Sequence, residues 1–428
     1  MTYSALLQAI VSGELDSTLL SLYGAHVLPA AHDRLAAAVR AFGMRYGEQG
    51  ELMLLSVPGR SELSGNHTDH NHGCVIAASI DLDIIAVVRA RDDSFIRFTS
   101  EGFGEEFIDP ASYSVPDASK FYSSASLCAG MTAAFRDAGL AVGGFDAYLT
   151  SDVLRGSGLS SSAAFEVMLG TILSHLFNGG TVDPIEIAKM AQFAENHFFG
   201  KPCGLMDQVA CAHGGIVAID FADPAAPVIT PVDFDLSGAG LALCIVNTGG
   251  NHADLNDDYA SVPAEMKAVA AALGVPVLRQ ADEDAFTAAI PALRGSVGDR
   301  AILRALHFFG ENRRVAAQVE ALREGRPNEF LSLVIASGRS SFCYLQNVYT
   351  TQNPAEQGLS LALARTEQLL GGRADTAWRV HGGGFAGTIQ AIVPITIAQD
   401  YACEMNALFG AGACRILRVR QVGTARLA

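Results

Sequence analysis

The sequence has little charge and no long hydrophobic run. Only 17% of its 428 residues are charged, and 45 acidic residues against 29 basic ones give a formal charge of −16. This balance excludes binding modes that rest on sequence-independent attraction to nucleic acid or anionic lipid. No run reaches the ~18 consecutive apolar residues of a membrane span. We therefore expect no nucleic-acid partner and no membrane partner.

Paired cysteines and a basic leader are also missing. The eight cysteines lie scattered between Cys74 and Cys414 without a C-x-x-C pair, which is typical of reduced thiols rather than of a disulfide framework or zinc ribbon. The opening residues MTYSALLQAIVSGELD lack the basic start of a secretory signal. We expect a cytoplasmic protein. Its oligomeric state is left open, with a monomer slightly favoured.

The composition that is present predicts a globular enzyme with two lobes. Half of the residues are apolar and 43 are glycine, so a large core can form within a chain long enough for two domains. Apolar runs at residues 52–57, 75–80 and 84–88 predict strands, with Pro58–Gly73 as a loop between strands. Strands and helices alternate irregularly along the chain, which favours an α+β fold over a doubly wound sheet.

The segment GSGLSSSAA, Gly156–Ala164, carries the strongest chemical signal. It follows a predicted strand and precedes a predicted helix over residues 163–176. Glycines let the backbone approach a polyphosphate, and a helix N-terminus favours an anion. The alternative is a flexible turn that only caps the helix. The segment is not a Walker A motif, because no Gly-Lys-Ser/Thr follows.

The loop sequence PGRSELSGNHTDHNHG crowds polar side chains between two predicted strands. Its histidines, His67, His70 and His72, suggest zinc ligands, but no strong second ligand set accompanies them, so hydrogen bonding to a polyol is favoured. A solvated turn is the remaining alternative.

The segment CGLMDQ, Cys203–Gln208, places one acid among apolar neighbours at a predicted helix start. A buried Asp207 that faces Arg60 would be a poised carboxylate, because burial raises a carboxyl pKa and a guanidinium lowers it. The commoner role of such an aspartate is a helix N-cap.

Taken together, these segments resemble the galactokinase branch of the GHMP small-molecule kinases. That family's first motif matches GRSELSGNHTDHN, its second matches GSGLSSSAA, and its glycine-rich turn matches HGGGFAG, His381–Gly387. The resemblance spans about residues 41–393. It implies a two-lobed α+β fold, with a first lobe like the second domain of ribosomal protein S5, residues 1–230, and a ferredoxin-like second lobe, residues 231–428.

The resemblance also implies ATP and Mg²⁺ as the partners of a sugar substrate. Asp207 would act on the sugar hydroxyl as a base or electrostatically, with Arg60 balancing its charge, and Ser162 and Glu195 would contact the metal. The residues implied in phosphate binding are Gly156, Ser157, Gly158, Leu159, Ser160, Ser161 and Ser162. Those implied in sugar binding are Asn66, His67, Asp69, Gly204, Asn247, His252, Tyr259 and Gly383.

Departures from the family pattern keep the substrate open. Asn66 and His70 stand where galactokinases carry a glutamate and an aromatic residue, and loss of that negative charge would admit an acidic sugar such as galacturonate. Ser124 and Leu127 replace aromatic residues near the expected adenine site, and Ala386 replaces a glycine. Galactose is the expected substrate, galacturonate or another sugar is the alternative, and a catalytically inactive sugar sensor is the alternative of another class.

Overall fold

The computed structural model describes residues 1–113, 115–153, 158–201, 203–250 and 255–428. In this part of the chain, twelve strands form two sheets. The strands are β1 Met53–Ser64, β2 Cys74–Ala90, β3 Ile96–Ser100, β4 Glu105–Ile108, β5 Phe145–Ser151, β6 Ile216–Asp220, β7 Val228–Val232, β8 Leu241–Asn247, β9 Ala377–Val380, β10 Thr388–Pro394, β11 Cys414–Leu417 and β12 Ala425–Arg426.

Helices cover and connect the two sheets. The α-helices are α1 Tyr3–Ser12, α2 Asp16–Tyr23, α3 Leu28–Tyr46, α4 Ser124–Asp137, α5 Ser161–Phe177, α6 Pro184–Phe193, α7 Met206–His213, α8 Asn256–Ala272, α9 Glu283–Ser296, α10 Asp299–Arg323, α11 Pro327–Ser340, α12 Gly358–Leu370 and α13 Ile395–Phe409. The short 3₁₀ turns are Ala25–Val27, Asp69–Asn71, Pro110–Tyr113, Ala118–Lys120 and Leu278–Gln280. Two π-helical turns, Ala194–Phe199 and Ser341–Leu345, follow α6 and α11.

The first sheet holds eight strands in the order β12-β1-β2-β5-β3-β4, with β6 paired to β2 and β7 to β6. Helices α5 and α7 pack on β1 and β2 and bury an apolar core that includes Val57, Ile76 and Val167. Full burial of each such side chain contributes about 1.5–3 kcal/mol, so this packing fixes the elements that carry the polar and glycine-rich loops.

Two strand predictions in this sheet need correction. The segment Pro58–Gly73 is not all loop, because β1 continues through Ser64, and the runs at residues 75–80 and 84–88 are one strand, β2. Arg60 and Glu62 are 8% and 7% exposed within β1. Ion pairs with residues distant in the sequence satisfy these buried charges, and that compensation is invisible in a local polar pattern.

The second sheet has the order β11-β8-β10-β9, and each of its pairs is antiparallel. Numbered along the chain, its four strands therefore lie in the order 4-1-3-2, with helices between the first and second strands and between the third and fourth. This is the arrangement of a ferredoxin-like sheet. The α+β prediction, with two lobes, is confirmed.

The chain returns to the first sheet at its C-terminal end. Strand β12 pairs with β1, and the fully buried Arg420 donates to Ser56 Oγ and Asp83 Oδ2 at 2.7 and 3.0 Å. Strand β7 also crosses residue 230. The division into residues 1–230 and 231–428 stays a prediction. A single boundary at residue 230 would divide β7 and would separate β12 from the sheet that it joins.

No helix in the described ranges is both long enough and apolar enough to cross a membrane.

Candidate active site

A partly buried ion pair joins β1 to the start of α7. Arg60 Nε donates to Asp207 Oδ1 at 2.7 Å, and Arg60 Nη2 donates to Oδ2 at 2.6 Å. Burial raises the pKa of Asp207, but the charge and hydrogen bonds of Arg60 and the hydroxyl of Ser160 lower it below its ordinary value. Asp207 is therefore a carboxylate at neutral pH. It is not the N-cap of α7, because Leu205 occupies that position.

The phosphate-loop segment lies directly against this pair. Leu159 carbonyl accepts from the Arg60 backbone N–H at 3.2 Å, and the Arg60 guanidinium donates to the carbonyl of Gly158. Ser160 has a left-handed backbone, φ +55°, immediately before α5, and its hydroxyl donates to Asp207. Ser161 and Ser162 form the first turn of α5. The helix N-terminus and the carboxylate thus meet at one point.

Gly156 and Ser157, two further phosphate contacts expected from the sequence, lie outside the described residues. So does His252, an expected sugar contact.

The side-chain amide of Gln208, the residue after Asp207, contacts the carboxyl groups of two glutamates. Gln208 Nε2 lies 2.8 Å from Glu195 Oε2 and 3.0 Å from Glu166 Oε2. Lys201 Nζ approaches Glu195 Oε1 at 2.7 Å. Burial, together with the charge of Glu195, raises the pKa of Glu166 to about 8, and its Oε1 has no hydrogen-bond partner. Glu195 is the one of these two glutamates that a lysine neutralises.

The predicted metal ligands are Ser162 and Glu195. A carboxylate and a hydroxyl are hard oxygen donors, and protein sites often hold Mg²⁺ through one or two carboxylates together with substrate phosphates. Ser162 is exposed at the N-terminus of α5, and the Lys201 side chain on Glu195 is 53% exposed, so it can be displaced. The donor set fits Mg²⁺.

Asn66 is locked between the lobes. Its Nδ2 donates to Gly382 O at 2.6 Å and to Glu62 Oε1 at 3.2 Å, and its Oδ1 accepts from Asn347 Nδ2 at 2.7 Å. His307 Nε2 lies 2.9 Å from its carbonyl, and Asn66 is only 1% exposed. Residues of the protein itself therefore use the donors and the acceptor of the Asn66 side-chain amide. Its assignment as a sugar contact stays a prediction.

His67 and Tyr259 both face the glycine-rich turn of the second lobe. His67 Nε2 lies 2.8 Å from Gly383 O, and Tyr259 hydroxyl donates to Gly384 O at 2.9 Å. A side-chain carbon on Gly383 would come 2.6 Å from the Tyr259 ring, so only glycine permits this approach. Burial lowers the pKa of His67 to about 4, and its imidazole is neutral at neutral pH.

Asp69 and Gly204 also come together. A side-chain carbon on Gly204 would lie 3.0 Å from Asp69 Oδ2, which leaves room for the carboxylate beside the segment that leads to Asp207. Asn247 lies apart from them. Its Oδ1 accepts from Gly249 N–H at 3.0 Å, and it borders a cavity of about 270 Å³ that also touches Leu159.

Glu311 lies in the second lobe and supports the start of the loop at residues 65–73, which we call the sugar loop. Its Oε1 accepts from Ser64 Oγ and from Gly65 N–H, both at 3.1 Å, and Arg314 Nε donates to Oε2 at 2.8 Å. Burial would raise the pKa of Glu311, but His307, Arg314 and the hydroxyl of Ser337 lower it to about 2. The ionised carboxylate therefore stabilises the folded protein.

A pH dependence of stability follows. Since the folded-state pKa is depressed, the contribution of Glu311 is present above about pH 4.5 and is lost as the pH falls toward 2. The free energy of unfolding should decrease by about 3 kcal/mol in total over this pH range. Urea unfolding of Glu311→Gln at pH 6 and pH 3 should give a smaller difference between the two pH values than the parent protein gives. An equal difference in both proteins would contradict this role.

Several residues of the site carry signals that our sequence interpretation missed. Glu62 stands two residues after Arg60, so strand alternation places both on one face of β1, and Arg379 Nη2 pairs with Glu62 Oε1 at 3.1 Å. Glu166 is an acid inside an apolar helical run, which is itself a signal of a functional or paired carboxylate. His381 enters our sequence interpretation only as the first residue of the glycine-rich motif, with no role of its own. It lies 3.0 Å from Ser61 Oγ across the lobes.

This geometry defines the chemistry that the site can perform. A helix N-terminus with small residues receives an anion, and an ionised carboxylate held by a guanidinium lies at the same point. Such a pair can orient a hydroxyl and accept or stabilise its proton beside a phosphate.

Comparison with family models places the chain among small-molecule kinases. Residues 125–215 match the model described as GHMP kinases N terminal domain, and residues 40–90 match the galactokinase galactose-binding signature. The matched ranges contain α5, Asp207 and the segment from Arg60 to Asp69. The fold and the site therefore define a GHMP kinase.

Relatives narrow this class. Galactokinase of Streptomyces coelicolor is 31% identical over 87% of this chain and 92% of its own, and galactokinase of Homo sapiens is 31% identical over 89% and 94%. The chain belongs to the galactokinase family. A crystal structure of Lactococcus lactis galactokinase complexed with galactose shares the fold, with a TM-score of 0.74 and 24% identity over 90% of this chain and 98% of that one.

Proposed function

We propose that this protein transfers the γ-phosphoryl group of ATP to the anomeric hydroxyl of galactose, which yields galactose 1-phosphate and ADP. The observation that carries the proposal is the Arg60–Asp207 pair, which lies against Gly158 and Ser160 at the N-terminus of α5. Membership in the galactokinase family supports the choice of sugar. In this proposal the sugar lies on the Asp69 side of Asp207, and the nucleotide lies on the α5 side.

In the proposed reaction the anomeric oxygen forms a bond to the γ-phosphorus while the bond from that phosphorus to the bridging oxygen of ADP breaks. The proton of the hydroxyl passes to Asp207 or leaves after the transfer, while the carboxylate stabilises the reacting group. The lowered pKa of Asp207 makes it a weak base, and a loose phosphoryl-transfer transition state needs little proton removal. Both roles therefore remain compatible with this geometry.

Mg²⁺ would be held by Ser162 and Glu195. When bound, the ion would neutralise charge on the ATP phosphates and orient them. Displacement of Lys201 from Glu195 would free that carboxylate for the ion. The N–H groups at the start of α5 would meet the phosphates from the protein side.

The sugar would lie between the loop at residues 65–73 and the turn at residues 382–384. Asp69 and His67 would contact its hydroxyls, with Gly204, Gly383 and Tyr259 forming the walls. Asn66 would act by holding the loop, since its amide already bonds to Gly382 and Asn347. This arrangement leaves no negative charge at position 66, so galacturonate stays the alternative substrate.

The test is ADP release from the purified protein with MgATP and, in turn, galactose, galacturonate, N-acetylgalactosamine and glucose at equal concentrations. We expect turnover with galactose. Turnover with galacturonate alone would show that galacturonate is the substrate and would assign the specificity to Asn66. If galactose stabilised the protein without ADP release, the protein would be a sugar sensor and not a kinase. The cytoplasmic location and the monomeric state stay predictions.

A further inference from the structure

A second cavity lies in the ferredoxin-like lobe, outside the site described above. Its volume is about 730 Å³, and α11, the π-helical turn Ser341–Leu345 and the segment at residues 373–376 border it together with the side chain of Arg314. Its lining includes Arg314, Arg339, Arg373, Ser332, Cys343 and Tyr344. None of the described residues that line the cavity is acidic. It is thus a basic concavity in a chain with a formal charge of −16.

The three guanidinium groups differ in how far they are neutralised. Arg314 Nε donates to the buried Glu311 at 2.8 Å, and Arg373 pairs with Asp375 at 2.8 Å on the surface. Arg339 is exposed, and the described residues provide it with no hydrogen bond or ion pair. Arg373 donates to Asp375 from Nε and Nη2, and its Nη1 has no partner among the described residues. Arg339 and Arg373 are therefore available to an anionic ligand.

The shape and donors of the cavity select the ligand class. Small-molecule sites occupy about 300–1,000 Å³, which a hexose phosphate suits. Guanidinium groups bind phosphate through two parallel hydrogen bonds. Ser332 and Asn328 add neutral donors for sugar hydroxyls, and the Tyr344 ring, 44% exposed, offers a face for a sugar ring.

A short path joins this cavity to the sugar loop. The π-helical turn presents Cys343 and Tyr344 to the cavity, while Ser341 Oγ on the same turn lies 3.4 Å from Asn66 Oδ1. Ser340, at the end of α11, lies 2.9 Å from His307 Nδ1, and His307 Nε2 lies 2.9 Å from Asn66 O. π-Helical turns are rare and occur frequently at functional sites.

We infer that this cavity binds a small organic phosphate of hexose phosphate size, and that its occupancy is transmitted through the π-helical turn to Asn66 and the sugar loop. Binding is independent of the proposed function. The transmission to sugar affinity rests on it.

Calorimetric titration without ATP or galactose tests the binding. The probe is glucose 6-phosphate, with glucose as its phosphate-free control. We expect saturable heat from the parent protein and at least tenfold weaker binding by the double variant Arg339→Gln/Arg373→Gln. The matched control, Arg294→Gln/Arg365→Gln, removes two exposed arginines that have acidic partners outside the cavity and should bind as the parent does. No binding by the parent, or equal binding by the cavity variant, would overturn the site.

Steady-state kinetics test the transmission. Saturating glucose 6-phosphate should change the KM for galactose at least threefold in the parent and in the control variant, and should leave the cavity variant unchanged. A change in KM that persists in the cavity variant would mean competition at the active site and would refute the transmission. Absence of galactose turnover in every variant would count against the proposed function, while calorimetry would still decide the binding.

Discussion

Asp207→Asn should lower kcat with galactose by about 10²–10⁴-fold, the range expected when a positioned catalytic carboxylate is lost. The amide has nearly the shape of the carboxylate, and its oxygen can still accept from Arg60, but its NH₂ group would face the second Arg60 donor, so the variant should fold with reduced stability. It cannot accept a proton or supply negative charge beside the reacting hydroxyl. The measurement is ADP release under saturating MgATP and galactose, accompanied by a thermal unfolding curve.

Ser160→Ala is the matched control for this prediction. It removes a hydrogen bond to Asp207 Oδ2 without removing the charge of the carboxylate, so kcat should fall much less, while loss of an expected phosphate contact should raise the KM for ATP. If Asp207→Asn retained the activity of the parent protein, the catalytic assignment would be wrong. If it unfolded, the activity of the more conservative Asp207→Glu would have to decide, because that change keeps the charge and moves it by one methylene. Asp207→Glu keeps an ionised group in a displaced position, so its kcat should lie between that of the parent protein and that of Asp207→Asn.

Asn66→Asp should destabilise the protein by about 2–4 kcal/mol, because two donated hydrogen bonds are replaced by contacts between acceptors in a buried place. The new carboxylate would lie against Gly382 O and Glu62 Oε1, which accept from Asn66 at 2.6 and 3.2 Å. Burial already raises the pKa of Glu62, which Arg379 and Arg60 partly offset. Urea unfolding measures the loss, and the KM for galactose should rise as the loop shifts.

Asn406→Asp provides a control with the same chemical change. Asn406 Oδ1 accepts from Cys414 N–H at 2.8 Å, a role that a carboxylate oxygen can also fill. Its stability should stay within about 0.5 kcal/mol of the parent protein, as for most substitutions that break no buried bond. A similar small effect at Asn66 would refute the role of that amide as a link between the lobes.

Local patterns were sufficient to predict some parts of this molecule. The order strand, glycine loop, helix is found at β5, residues 158–160 and α5, and the predicted contact between Arg60 and Asp207 is confirmed. Both depend on a short motif or on one pair of opposite charges. A prediction from periodicity or charge was therefore sufficient where a short motif, or the opposite charge of one other residue, identified the interaction.

Other parts depend on partners that no local pattern contains. Asp83 lies inside β2, between two apolar runs that the sequence predicted as separate strands. A buried aspartate needs a cationic partner, and Arg420 provides one from 337 positions away. Asn347 approaches Asn66 from 281 positions away. The sequence patterns predicted polar residues in the sugar loop, but only the folded chain determines whether they face a ligand or each other.

The return of the chain to the first sheet also sets an order of events during synthesis. Until Arg420 has left the ribosome, the buried Asp83 has Arg34 as a cationic partner but lacks the second one, and β1 has no β12 along its edge. The lobe that carries Arg60 and the phosphate loop is thus completed by residues that are made after all four strands of the second sheet. A ribosome stalled within α10, after β7 has emerged, should hold a first lobe that opens and is cut by protease more readily than the same lobe in the released protein.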